Sequence, residues 1–237
     1  MITVTCVKWG NKYSAEYVNR LEVMVRKYLN AEHRFVCLTE DPTDVKCETI
    51  ALPKDNDLEG WWNKMYLFSS DYLKDTCLYF DLDTVIQQPI DCLLDYQDKL
   101  TGVYTYWNDF YTDGDYPFAM LKYKTPFNSS VMVWKAEEYY WVYDKFNDDR
   151  DWHVIKYYGD DKFLGNEIAD KRTFPKGWIY SRLYGRYEHD FPTEILQIYS
   201  GYEEGLFHYP DHKICLFNGP TVDLHYKGFE HYWNTAS

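Results

Sequence analysis

The amino-acid sequence predicts a single α/β domain built on a mixed, mostly parallel central sheet flanked by helices. Three observations predict it. The first 40 residues run strand, helix, strand, the opening of a parallel sheet. An apolar strand at 76–80 ends abruptly in Asp81-Leu82-Asp83, and open α/β sheets bind ligands at the carboxyl ends of their strands. The 237 residues, 46% of them hydrophobic, suit one sizeable core.

The elements follow in order. Residues 2–7 form a β-rich run. Ser14 is placed to cap a helix whose apolar positions Tyr17, Val18, Leu21, Met24, Val25 and Tyr28 keep helical spacing. Strands at 34–38 and 47–52 are closed by Pro42 and Pro53. A helix over 61–72, carried by Trp62, Met65, Tyr66 and Phe68, leads into the 76–80 strand. Residues 107–125, rich in Tyr, Asp and Gly, read as a long loop, and 129–134 as a strand. An aromatic helix spans 136–146, the Asp-rich 147–151 stretch reads as a solvated loop, and a short helix covers 159–168. Strands at 178–183 and 213–217 come last, with no internal repeat or linker.

Composition excludes several roles. A net charge of −13 gives no basic stripe for phosphate backbones, so no nucleic-acid partner is expected. No apolar run approaches a membrane span. Cys6, Cys37, Cys47, Cys77, Cys92 and Cys215 are dispersed, without a C-x-x-C pair, and residues 1–5 are not expected to open a signal peptide. A reduced, cytoplasmic protein is expected, in which the Asn128-Ser129-Ser130 sequon is idle. Aromatic residues reach 20%, with 25 Tyr and 9 Trp; most fill the core, and the rest suit contact with sugars or bases.

Leu78-Tyr79-Phe80-Asp81-Leu82-Asp83-Thr84 is the strongest local signal. In an extended chain residues i and i+2 share a side, so both carboxylates can face one ion. Hard oxygen ligands favour Mn²⁺ or Mg²⁺. Asp-x-Asp-Thr after an apolar strand also resembles the nucleophile motif of haloacid-dehalogenase-type phosphatases, with Gly159-Asp160-Asp161 as a downstream acidic pair. Against that, the motif follows two earlier strands, no Gly follows Asp83, and Ser129-Ser130 precede their strand.

Gly60-Trp61-Trp62-Asn63-Lys64-Met65-Tyr66-Leu67-Phe68, followed by the Asp81-Leu82-Asp83 strand, resembles the front half of GT-A-fold glycosyltransferases of the glycogenin-like and lipopolysaccharide galactosyltransferase-like group. Three later segments agree. Phe127-Asn128-Ser129-Ser130 resembles the group's N-S-G strand, Gly159-Asp160-Asp161 stands where G-D-Q is usual, and Leu216-Phe217-Asn218-Gly219-Pro220 resembles its late H-x-x-G-P segment. The blocks keep order and spacing over most of the chain.

The resemblance implies a GT-A-like fold and a metal-dependent, retaining transfer of a sugar from a nucleotide-diphosphate donor, expected to be a UDP-sugar, to a glycan or other hydroxyl acceptor. Residues 1–105 would be the donor half and 106–237 the acceptor side. It implies donor contacts at Tyr13, Lys64, Asp81, Leu82, Asp83 and Asn128, and places Asp160 near the anomeric carbon. Asp160 reads equally as the N-cap of its helix. Trp61 and Trp178 are acceptor-stacking candidates, beside Trp62 and Trp107, and each also reads as core. The group's late metal-binding His is replaced by Leu216 and its following Lys by Val222. His225 is then the candidate third metal ligand with Asn218 behind it, and Lys227 the replacement cation. Those two losses keep open a protein that binds nucleotide sugars or glycans without turnover. Pro210 separates His208 from His212 and rules out a helical metal pair.

Overall fold

The computed structural model describes residues 1–107, 122–185, 207–217 and 228–234. Strand β1 (Ile2–Lys8), helix α1 (Ala15–Tyr28) and strand β2 (His33–Thr39) form the opening βαβ unit, with β1 and β2 in parallel register from Ile2 opposite His33 to Lys8 opposite Thr39. Ser14 takes the N-cap position, but its side chain makes no capping bond; only its carbonyl accepts, from the Tyr17 N–H at 3.2 Å. β3 (Glu48–Ala51) extends the sheet beyond β2.

The chain then crosses to the other side of β1. The helix expected over 61–72 is a 3₁₀ helix at Gly60–Phe68. β4 (Thr76–Phe80) follows, paired parallel with β1. Beyond the acidic pair come β5 (Thr84–Ile86), β6 (Leu100–Tyr104) and β7 (Phe127–Lys135). The expected 136–146 helix is a short 3₁₀ turn followed by α2 (Trp141–Asp148). The Asp-rich stretch joins α2 directly to α3 (Arg150–Tyr157), a helix with no counterpart in the expected set. α4 (Asp160–Glu167), β8 (Lys171–Thr173), β9 (Ile179–Ser181) and β10 (Ile214–Leu216) complete the described elements.

Seven strands form one sheet in the order β3-β2-β1-β4-β7-β6-β8. β7 alone is antiparallel to its neighbours β4 and β6, so the sheet is mixed and mostly parallel. β5, β10 and β9 make a second, small sheet. Strand side chains alternate between two buried clusters, as the pleat requires. Val4, Cys6, Cys37, Leu78, Phe80, Val131 and Val133 face α1 and the small sheet. Val36, Leu38, Cys77, Tyr79, Met132 and Trp134 face the 3₁₀ helix and α2–α4. Burial on both faces explains why these strands read as continuous apolar runs.

All six cysteines are free thiols. Among the described residues, no helix is long and apolar enough to cross a membrane.

Candidate functional site

α1 leaves β1 towards β2, whereas the 3₁₀ helix brings the chain to β4 on the opposite side. The strand order therefore reverses between β1 and β4, the position at which open α/β sheets hold ligands. A cleft of about 600 Å³ opens there. Its floor is the Trp9–Tyr13 loop after β1, Asp81–Asp83 after β4, the first residues of β7, and the Tyr158–Lys162 turn into α4. Because β7 runs against β4, its N-terminal end meets β4's carboxyl end, and the Asp81 N–H donates to the Ser130 carbonyl at 2.8 Å.

Lys64 organises the floor. Its ammonium lies 2.9 Å from Asp81 Oδ1 and 3.5 Å from Asp160 Oδ2, and donates to Ser129 Oγ at 3.1 Å. Burial alone would lower the Lys64 pKa, but Asp160 and then Asp81 outweigh it and hold the group well above its ordinary value. The Tyr79 hydroxyl donates to Asp81 Oδ1 at 2.6 Å, and the Ser129 hydroxyl to Asp160 Oδ2 at 2.5 Å. Burial lifts the Asp160 carboxyl to about 6 against the opposing pull of Lys64.

Asp83 is held differently. The Tyr13 hydroxyl donates to its Oδ2 at 2.9 Å, yet burial and then the charge of Asp81 push its carboxyl up to about 6. Two carboxylates at the end of one strand offer the hard oxygen ligands that suit a hard divalent cation. Among the described residues no group of three His, Cys, Asp or Glu side chains is placed to hold a metal. His225, Asn218, Val222 and Lys227 lie outside the described residues.

The structure brings Tyr13, Trp61, Lys64, Asp81, Leu82, Asp83, Asn128 and Asp160 to this one cleft. Asn128 links β7 to the start of α4: its Oδ1 accepts the Ser130 N–H at 2.9 Å, and its Nδ2 lies 3.5 Å from Asp161 Oδ2. The N-cap of α4 is Gly159, not Asp160, which is the first helical residue. Trp178 is not among the cleft residues; it packs edge-on against Tyr96 at 5.6 Å with Lys213 over its ring. Trp62 is buried and stacks on Phe146, whereas Trp107 lines the cleft and stacks on Tyr184. His208 reaches the Tyr232 hydroxyl and His212 reaches Asp211, so the two histidines serve separate contacts.

Among the other cleft residues, Lys12, Lys162, Asp161 and Tyr158 had no individual role assigned from the sequence. Lys12 lies over the Tyr13 ring and Lys162 lies 3.7 Å from Asp161. Asp161 is the more open of the adjacent acids, with 19% of its side chain exposed against 5% for Asp160. Tyr158 lines the cleft beside Trp61. The G-D-D block was a usable signal for Asp161; nothing in the sequence pointed to Tyr158.

No family model matches the chain, and no curated protein matches its sequence. Solved structures do match. An active-site mutant of LgtC superposes with a TM-score of 0.62 at 13% identity, covering 97% of this chain and 93% of that one. The galactosyltransferase LgtC in complex with donor and acceptor sugar analogs gives 0.62 at 14% identity with the same coverages, 97% and 93%. The glycosyltransferase GlyE of Streptococcus pneumoniae TIGR4 gives 0.62 at 12% identity, over 92% of this chain and 55% of GlyE. With the reversal of strand order between β1 and β4 and the acidic pair at the end of β4, these superpositions establish that the chain has a GT-A glycosyltransferase-like fold.

Proposed function

We propose that the chain is a glycosyltransferase that moves a sugar from a nucleotide-diphosphate donor, a UDP-sugar by resemblance, to a hydroxyl acceptor on a glycan. The observation that carries this reading is the convergence at one strand-order reversal of an aromatic loop, two carboxylates suited to a cation, and a buried lysine shared between two acids. Asp81 and Asp83 would hold Mn²⁺ or Mg²⁺, which when bound supplies positive charge for the leaving diphosphate.

The chain's own residues account for the rest. Tyr13 is positioned by its bond to Asp83 and offers its ring to the base. Lys12 and Lys162 both line the cleft and supply cations for phosphate oxygens where Val222 replaces the group's usual Lys. Asp160, bound by Lys64 and Ser129, keeps Lys64 in place. Asp161, more open and faced by Asn128, is the carboxylate directed at the sugar and supports the electron-poor carbon as the diphosphate leaves. The direction of β7 disfavours the phosphatase reading, since Ser129 and Ser130 enter from the start of an antiparallel strand rather than the end of a parallel one.

The test is calorimetric titration with nucleoside diphosphates and nucleotide sugars, with and without Mn²⁺, on wild type and Asp83→Ala. Metal-dependent binding of one nucleotide, weakened at least tenfold in Asp83→Ala, is expected. No binding by any member of the panel would refute the transferase reading. Binding without transfer or donor hydrolysis would point instead to a protein that only holds its sugar nucleotide.

A further inference from the structure

Tyr158 ends α3 in the left-handed conformation, with φ at +60°. Glycine is the usual occupant of that position, because a Cβ there is crowded by the backbone. The tyrosine ring does not recover the cost by burial, since the residue is 47% exposed. It lies instead beside Trp61, which is 51% exposed, with ring centroids 6.4 Å apart and planes tilted by 50°. Such a tilt is not a stacked pair closed on itself, and both rings line the cleft.

The backbone under Trp61 is pinned. Gly60 takes φ at +55°, and the buried Asn63 side chain donates to the carbonyls of Leu58 at 3.0 Å and Gly60 at 3.1 Å while accepting from Asn56. With the backbone fixed, binding at the ring need order only the side-chain torsions of Trp61. Gly159, next to Tyr158, keeps the passage from the rings to the acids open. A Cβ there would stand 2.8 Å from Asp161 Oδ1 and 3.9 Å from Trp61 Nε1.

From these we infer that Trp61 and Tyr158 form a stacking platform for the terminal sugar ring of an uncharged glycan, delivered across Gly159 to Asp161. The inference deepens the transferase reading by naming its acceptor class, and it rests on that reading for the word acceptor. The occupant is a sugar because its C–H face packs on an aromatic face while its rim hydroxyls need polar groups, which Asp161 and Lys162 supply. It is uncharged because Asp160 and Asp161 border the passage and the chain carries a net charge of −13.

The experiment titrates the protein, with and without Mn²⁺ and UDP, with lactose, maltose and cellobiose, and with sialyllactose as the anionic comparator. Tryptophan fluorescence and ligand-observed NMR report binding. At least one neutral disaccharide is expected to bind, at least fivefold more weakly to Trp61→Ala and to Tyr158→Ala. Trp152→Ala, which removes a 53% exposed ring that does not line the cleft, is expected to match wild type. Tyr158→Gly separates function from folding: the thermal midpoint rises as strain is relieved, while sugar binding falls as in Tyr158→Ala. No neutral sugar bound by wild type, equal binding by the two platform variants, or preference for sialyllactose would each overturn the platform. Failure of UDP to bind while sugars still do would count against the transferase reading and leave the platform standing.

Discussion

Lys64 shows how one side chain can serve a fold and a site together. Its side chain is 10% exposed and it pairs with Asp81 and Asp160, whose side chains are 21% and 5% exposed. Removing one member of a buried pair leaves a charge without compensation, which costs far more than the pair is worth. Lys64→Met is therefore expected to destabilise the protein by about 3 kcal/mol, with Lys64→Met/Asp160→Asn recovering much of it. Urea denaturation of the single and double variants checks this, and simple additivity of the losses would contradict the shared burial. Asp161→Asn makes the opposite demand. Its stability is expected to stay within about 0.5 kcal/mol of wild type, while transfer falls at least a hundredfold with nucleotide binding retained. The acidic pair after β4 was legible in the sequence because a strand announces its own end. The division of labour proposed for Asp160 and Asp161 was not, since adjacent residues at a helix start differ only in what reaches them from elsewhere, here Lys64 and Ser129 for the first and Asn128 for the second.

Elements were legible where they are long or flanked by punctuation. β1, α1, β2 and β4 carry either continuous apolar runs or helical spacing, and their expected bounds lie close to the observed ones. β5 and β8, with three residues each, are too short to show a period. The helix α3 was hidden by its polar opening, Arg150-Asp151, and its exposed Trp152 and Ile155 break the amphipathic pattern. What holds α2, α3 and α4 together is partly electrostatic. Glu167, at the end of α4, takes Lys145 of α2 at 2.9 Å, Lys156 of α3 at 3.2 Å, and the Tyr157 hydroxyl. Burial alone would raise its carboxyl, but Tyr157 and the two lysines hold it at about 2, below its ordinary value of 4.5. A depressed carboxylate stabilises the fold above its unfolded pKa, and that contribution is lost as pH falls towards the folded one. The stability gap between wild type and Glu167→Gln is thus expected to be constant above about pH 5.5 and to shrink steadily towards pH 2. Urea midpoints at pH 6, 4 and 3 measure it, and a gap independent of pH would remove Glu167 as the latch.

At the scale of the molecule, the division into a donor half over 1–105 and an acceptor half over 106–237 describes the order of motifs better than the architecture. β7 belongs to the second stretch of sequence yet lies between β4 and β6, both from the first. Asn128, Ser129 and Asp160 likewise complete a floor that begins with Asp81. A fragment ending at residue 105 is accordingly expected to show no cooperative unfolding transition and no nucleotide binding, by circular dichroism and calorimetry. A two-state transition in that fragment would show that the first strands are self-sufficient.

The antiparallel insertion of β7 also matters during synthesis, when the chain emerges from its N-terminus. Until residue 135 has left the ribosome, whatever pairing β4 makes with β1 leaves its other row of backbone donors and acceptors unfilled. Such a row is a template for any passing strand. The nascent protein therefore carries an adhesive margin at the heart of its future site for as long as translation takes to cover the residues between β4 and β7, and slowing that interval should favour aggregation over maturation.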